Sequence, residues 1–310
     1  MSPHVPVMLN EVMDIFMSRV PLDAGAFFID ATLGGGGHSR AVLEKYRGMR
    51  LVGFDQDESA REIARERLAE FGDRVRIVGE NFIEMFESLE DSERDEGACA
   101  ALFDLGVSNM QLTTPERGFS YQSDGPLDMR MNASGSSLRA WDILRDCDER
   151  ELTRIFRDYG EERNAFTIAR AITRSRTTGN LPATGAELTA LIRRTLPAPM
   201  QRKMGTHPAR RVFQALRIAV NSELDVIPEG LMGAYESVRG GGAIIVISYH
   251  SLEDRIVKRT FRHWTEEGYG RTLTRKPVIP SEKERESNRS SRSAKLRAFV
   301  IDDMKRAIRA

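Results

Sequence analysis

Four consecutive glycines, Gly34 to Gly37, stand between the apolar run Phe27-Phe28-Ile29, closed by Asp30, and a stretch of helical period that begins near Ser39. Glycine lacks the side chain that keeps a backbone at a distance. A buried strand, a glycine turn and a helix start in this order therefore narrow the fold to an α/β sheet with a ligand at a strand's carboxyl end. The flanking pattern agrees. Strand-like runs at 26–30, 51–55, 75–78 and 98–104 alternate with helical patterns at 39–46 and 58–71, the signature of a parallel sheet. Asp30, Asp55 and Asp104 close three of these strands, and the run at 75–78 leads to Asn81-Phe82, so these polar ends are expected to converge on one crevice.

The glycine loop excludes two common phosphate sites. A dinucleotide fingerprint needs a third glycine or alanine, but Ser39 and Arg40 stand at the positions in question, and no Gly-Lys-Ser/Thr follows. Without pyrophosphate machinery, and with an acid ending the second strand, the loop suits a nucleoside with a positive or neutral tail. S-adenosylmethionine is such a ligand. Asp55 would accept hydrogen bonds from both ribose hydroxyls, Phe82 would wall the adenine, and Asp104 would face the amino-acid end or the reacting methyl. Each residue also has a plainer reading: a tight turn without ligand for the glycines, a solvated strand end for Asp55, a core position for Phe82.

The next strong strand, 243–249, arrives only after 105–242, a stretch of 138 residues that is too long for one crossover helix. Helical patterns fill it at 137–147, 149–159, 163–174 and 185–196. A long one follows at 208–227, where Pro208 suits a first helical position and Phe213, Leu216, Val220, Leu224 and Ile227 keep helical spacing. The expected architecture is a discontinuous core, 1–114 and 215–310, interrupted by a helical substrate-recognition subdomain at 115–214. Forty-six basic and 46 acidic residues cancel, so any grip on a polyanion must be local. Between Arg271 and Arg309 twelve Lys or Arg face five acids, which makes this run the first place to look. Two cysteines, Cys99 and Cys147, build neither a disulfide framework nor a four-thiolate zinc site, and no basic leader or long apolar run appears. The expected setting is the cytoplasm, away from any membrane.

Several motifs in order carry a resemblance. His4 to Val12, Asp30 to His38, Asp104-Leu105-Gly106-Val107-Ser108, Arg117-Gly118-Phe119-Ser120, Asp124 to Met131, Gly205-Thr206-His207-Pro208-Ala209, Phe213 to Asn221 and Ser248 to Arg255 resemble the bacterial small-subunit ribosomal RNA methyltransferase H family. The resemblance implies methylation, with S-adenosylmethionine, of the exocyclic 4-amino group of a decoding-centre cytidine in 16S ribosomal RNA. It also implies a Rossmann-like seven-strand methyltransferase core. The implied cofactor contacts are Gly36, Gly37, His38, Asp55, Phe82, Asp104 and Gln111. Departures from the family pattern are Asn109 for a second Ser, Tyr249 for a Phe, and Arg289-Ser290 for a Pro-Arg pair.

An exocyclic cytosine amine is a poor nucleophile, and an acceptor placed on its protons would localise electron density on the nitrogen. Asp104, Asp124 and Asp128 are the candidates for this work, Asp124 and Asp128 having turn chemistry and N-capping as the competing roles. The aromatic that many amino-methyltransferases place beside the amine is missing after Asp104, and Tyr249 or Phe119 could supply it. His250 could serve as a base but is read rather as holding the turn after the fifth strand, and His207 as leading into a helix. No His or Cys set has metal-ligand spacing. The expected partner is 16S ribosomal RNA within the small subunit, gripped by the C-terminal run and by Arg193, Arg194, Arg210 and Arg211, with a homodimer left open. A methyltransferase for protein or small molecules and a non-catalytic RNA binder are the competing classes.

Overall fold

The computed structural model describes residues 6–19, 25–132, 138–203 and 207–304. His4, Val5, Ser137, Gly205, Thr206, Lys305, Arg306 and Arg309 lie outside these residues. The chain divides into two compact units, Met1–Gly106 with Leu224–Ala310, and Val107–Glu223.

The first unit starts with α1 (Leu9–Arg19), β1 (Phe27–Asp30), α2 (Gly37–Lys45), β2 (Arg50–Phe54), α3 (Glu58–Leu68), β3 (Val75–Val78), α4 (Asp91–Glu96) and β4 (Ala98–Asp104). The helical pattern at 58–71 tightens into a 3-10 turn after Leu68. β1 and β4 are buried along nearly their whole length, as a parallel sheet covered on both faces requires. Successive side chains alternate between the faces. Phe28, Leu51, Ala100 and Leu102 join one apolar cluster, while Phe27, Ile29, Val52, Ala101 and Phe103 join the other.

The second unit holds α5 (Asn109–Thr113), α6 (Ala140–Asp146), α7 (Glu149–Asp158), α8 (Ala165–Thr177), α9 (Gly185–Thr195), α10 (Ala198–Lys203) and α11 (Arg210–Asn221). Side-chain caps set two of the starts: Asp148 accepts from the Glu151 N–H and Thr184 from the Glu187 N–H. The unit is wider at both ends than 115–214. Val107 packs against its apolar core, and α11 contributes Val212, Phe213, Leu216 and Val220 to that core. Phe119 is buried in the same core, which removes it as an aromatic for the reacting amine.

The helix expected at 208–227 is two helices. Pro208 lies in a turn before α11, and Ser222 takes a left-handed backbone (φ +50°) that ends it. The chain then re-enters the first unit as α12 (Val226–Ser237), β5 (Val238–Ser248), α13 (Ser251–Glu266), β6 (Gly270–Thr272), α14 (Glu282–Ser287) and β7 (Lys295–Ile301). The seven strands form one sheet in the order β3-β2-β1-β4-β5-β7-β6. The first five are parallel, and β7 runs antiparallel between β5 and β6. The strand order reverses between β1 and β4, so the carboxyl ends of these two strands open the crevice in which such sheets hold ligands.

The C-terminal basic run is partly consumed inside this unit. Arg297 is 5% exposed, with Nε 2.7 Å from Asp254 Oδ1, and Lys295 Nζ lies 3.5 Å from Asp254 Oδ2. These two residues of β7 tie the strand to α13, and Arg297, buried there, is not free to meet a polyanion.

Candidate active site

Asp30, Asp55 and Asp104 stand at or just beyond the carboxyl ends of β1, β2 and β4. Asp30 is 2% exposed; its Oδ2 accepts from the Ser39 hydroxyl at 2.6 Å and its Oδ1 from the Thr32 N–H at 3.3 Å. Burial pushes its carboxyl above the usual range, against the pull of Ser39. Neither Asp30 nor Asp55 pairs with a lysine or arginine among the described residues, so this end of the sheet favours a cationic ligand.

The glycine turn folds back on Asp55. Asp55 Oδ2 accepts from the Gly34 N–H and Oδ1 from the Asp57 N–H, both at 2.8 Å, which leaves acceptor capacity on each oxygen. Burial raises this carboxyl from 3.8 to about 6, opposed by the two N–H bonds and reinforced by Asp57 and Asp30. The folded chain thus keeps a proton that the unfolded chain gives up, so stability of the free protein falls as pH rises from about 4 to about 6. Gly36 adopts a left-handed backbone (φ 72°) before α2, and a Cβ on Gly37 would lie 2.7 Å from Pro6 Cγ. The protein's own packing therefore uses the space these two glycines leave.

Asp104 is held from three sides. Its N–H donates to Thr32 Oγ1 at 2.6 Å, the Tyr249 hydroxyl donates to its Oδ1 at 2.6 Å, and His38 Nδ1 lies 3.8 Å from its Oδ2. His38 Nε2 faces the Val7 carbonyl at 2.9 Å, and a carbonyl can only accept, so Nε2 carries a proton. Burial first, and the Asp104 charge after it, push the Tyr249 hydroxyl well above its usual value, so it stays a donor. The Asp104 side chain remains 26% exposed. Phe82 packs edge-on against Phe103 with ring centroids 5.5 Å apart, and a Cβ on Gly230 would meet its ring. The ring is thus built into the core while still partly exposed.

The other predicted residues fall in the second unit. Gln111 is buried; its N–H donates to Ser108 Oγ and its Oε1 accepts from the Ser108 N–H, which starts α5. Asp124 is exposed and makes no side-chain hydrogen bond among the described residues. Asp128 has both oxygens engaged by Arg130, at 2.9 Å from Nε and 2.8 Å from Nη2. Burial works against its ionisation, but the Arg130 guanidinium holds its carboxyl below the usual carboxylate range. His207 stacks on Tyr121 with centroids 4.5 Å apart and accepts from the Ala209 N–H, ahead of α11. His250, in the first unit, caps α13 in a reciprocal box with Glu253. Sequence reasoning missed Thr32 and Ser39, whose hydroxyls meet the Asp104 N–H and the Asp30 carboxylate; they flank the four glycines, and a polar residue two positions after the strand-end Asp30 was the available signal for Thr32.

The profile of the MraW methylase family matches residues 1–301. A ribosomal RNA small subunit methyltransferase H of Carboxydothermus hydrogenoformans is 46% identical over 310 residues, covering 95% of this chain and 96% of the relative. Another of the same name from a Paenibacillus species is 44% identical, covering 96% and 98%. A solved ribosomal RNA methylase of Streptococcus thermophilus is similar at 10% identity with a TM-score of 0.44, covering 96% of this chain and 99% of that one.

Proposed function

The chain belongs to the MraW methylase family, and from that premise we propose that it methylates 16S ribosomal RNA of the small subunit in the bacterial cytoplasm, on the exocyclic 4-amino group of a decoding-centre cytidine. The observation that carries this reading is the trio Asp104, Tyr249 and His38 at the open end of β4, beside the acid-bound glycine turn. The names of the relatives at 46% and 44% identity support the RNA substrate.

When bound, S-adenosylmethionine supplies an electrophilic methyl on a sulfonium. Asp55 accepts its ribose hydroxyls through the lone pairs that Gly34 and Asp57 leave, and Phe82 walls the adenine. Gly36, Gly37, His38 and Asp104 complete the cofactor contacts of the first unit. The target amine is tied up inside a paired helix, so the cytidine must be splayed out to react. Asp104 then accepts a hydrogen bond from the amine, localises electron density on its nitrogen and holds the proton that it loses. Of the two further candidates in the second unit, Asp124 is exposed, whereas Asp128 has both oxygens engaged by Arg130.

The test is transfer of labelled methyl from S-adenosylmethionine to small subunits purified from cells lacking this protein, followed by nucleoside analysis. A labelled N4-methylcytidine peak is expected. Cofactor binding with no label in RNA would refute the reading and point to another methyl acceptor.

Two further results are expected. Ribose hydroxyls need the ionised form of Asp55, so affinity for the cofactor strengthens as pH rises through about 6. Titration calorimetry should give a Kd about tenfold weaker at pH 5 than at pH 7, and Asp55→Asn should bind weakly without that dependence. Equal affinity at the two pH values would take Asp55 away from the ribose. Tyr249→Phe removes a donor from Asp104 and leaves the carboxylate more basic. We expect kcat to fall about threefold to tenfold and the acid limb of its pH profile to move upward, with cofactor affinity unchanged. An unshifted limb would reduce Tyr249 to packing.

A further inference from the structure

We propose that the exposed face of α8, with the groove it forms against α9, grips the ribose-phosphate backbone of the RNA substrate; this rests on the functional reading above. The face carries Phe166, Arg170 and Arg174, with Arg163 just before the helix, all exposed. α8 contains no acidic residue. Arg170 and Arg174 are one helical turn apart, about 6 Å along the axis, on the scale of the step between successive phosphates.

Among the described residues nothing in the unit uses these arginines, whereas several others are paired. Arg130 is engaged by Asp128, Arg139 by Asp142, Arg145 by Asp146, Arg154 by Glu151 and Arg217 by Glu223. Among the described residues, Arg163, Arg170 and Arg174 make no ion pair and no side-chain hydrogen bond. Beside the two helix arginines runs a groove of about 470 Å³, lined also by the hydroxyls of Thr167, Ser175, Thr178 and Thr195 and by no carboxylate. Ser175, Thr178 and Thr195 donate to backbone carbonyls, and Thr178 also accepts from Asn180 Nδ2, so each oxygen keeps a lone pair for a ribose 2′-hydroxyl. Glu149 accepts from the Thr173 hydroxyl of α8, and Thr173 is not part of the groove. Phe166, 52% exposed at the head of the same face, offers a platform for an unstacked base. Unspent guanidinium groups, hydroxyl acceptors and one exposed ring match a single RNA strand, whose charge lies on phosphates and whose sugars carry hydroxyls.

The experiment compares the wild-type chain, Arg170→Ala/Arg174→Ala and Phe166→Ala. Each is titrated against a fluorescent single-stranded RNA of small-subunit sequence over a salt series, and each is assayed for methyl transfer to small subunits. The double variant should bind the RNA roughly 10- to 50-fold more weakly at 0.1 M salt. The slope of log K against log salt should fall by about 1.4. Phe166→Ala should weaken binding about tenfold with the slope kept. Urea unfolding midpoints of all three should match, which reports that the second unit is folded. Wild-type affinity with both variants unchanged would overturn this surface and leave the functional reading standing. A double variant that binds RNA normally but methylates the particle poorly would overturn it in favour of a ribosomal protein contact. A wild-type chain without RNA affinity or transfer would overturn the functional reading, and the surface with it.

Discussion

Replacing Asp104 with Asn lowers methyl transfer to small subunits by about 10³-fold, while the affinity for S-adenosylmethionine falls by less than tenfold. The asymmetry follows from what the substitution keeps. An asparagine can still accept from the Tyr249 hydroxyl, and the backbone N–H at this position still reaches Thr32 Oγ1. It cannot hold a proton, and it has one acceptor oxygen where the carboxylate has two. A positioning role alone would survive this exchange. Single-turnover transfer of labelled methyl, with calorimetry for the cofactor, separates the two; a kcat within tenfold of wild type would remove Asp104 from the proton-handling step.

The second large effect belongs to the other unit. Gly125→Ala destabilises it by about 3 kcal/mol or more, because an added Cβ would stand 1.7 Å from the Pro115 carbonyl oxygen and 2.5 Å from its carbon. Backbone cannot yield as a flexible side chain does. The loop that would have to move is pinned at its far end: Asn221 Nδ2 donates to the Met129 carbonyl, the Met131 N–H donates to Asn221 Oδ1, and Arg117 Nη2 donates to the Met131 carbonyl, all at 2.8 Å. Asp124 and Asp128 are carried on this loop. Urea unfolding should show the loss, and RNA methylation should fail while cofactor affinity in the first unit is retained. A midpoint shift worth less than about 1 kcal/mol would show that the loop has slack.

The strands of the first unit were legible because a parallel sheet covered on both faces needs continuous apolar runs, and the chain supplies them at β1, β4 and β5. β6 was not, since a three-residue edge strand with partly exposed residues carries no such signal. The break at Ser222 was hidden because Leu224 and Ile227 continue the helical spacing beyond it; a single left-handed residue leaves no mark in apolar periodicity. The acids of the site could be read from their place at strand ends. Their partners could not: Tyr249 lies 145 positions from Asp104, and Asp254 lies 43 from Arg297. Such pairings exist only once the sheet has brought its strands into register. For the same reason the basic C-terminal run looked more available than it is.

The insertion between β4 and β5 also dictates when the sheet can be completed. Ala100 pairs with Ala243 and Asp104 with Ile247, yet the whole of Val107–Glu223 is synthesised between these neighbours. Until β5 emerges from the ribosome, one long edge of β4, with Ala98 to Phe103 buried in the finished sheet, stays open to any extended chain. Closing a long loop costs little extra equilibrium free energy, about 0.6 kcal/mol per doubling of length, so the burden falls on time rather than on stability. A nascent chain halted anywhere in the insertion presents a four-stranded half-sheet with an unprotected edge, and this window is when aggregation or chaperone capture would act on the protein.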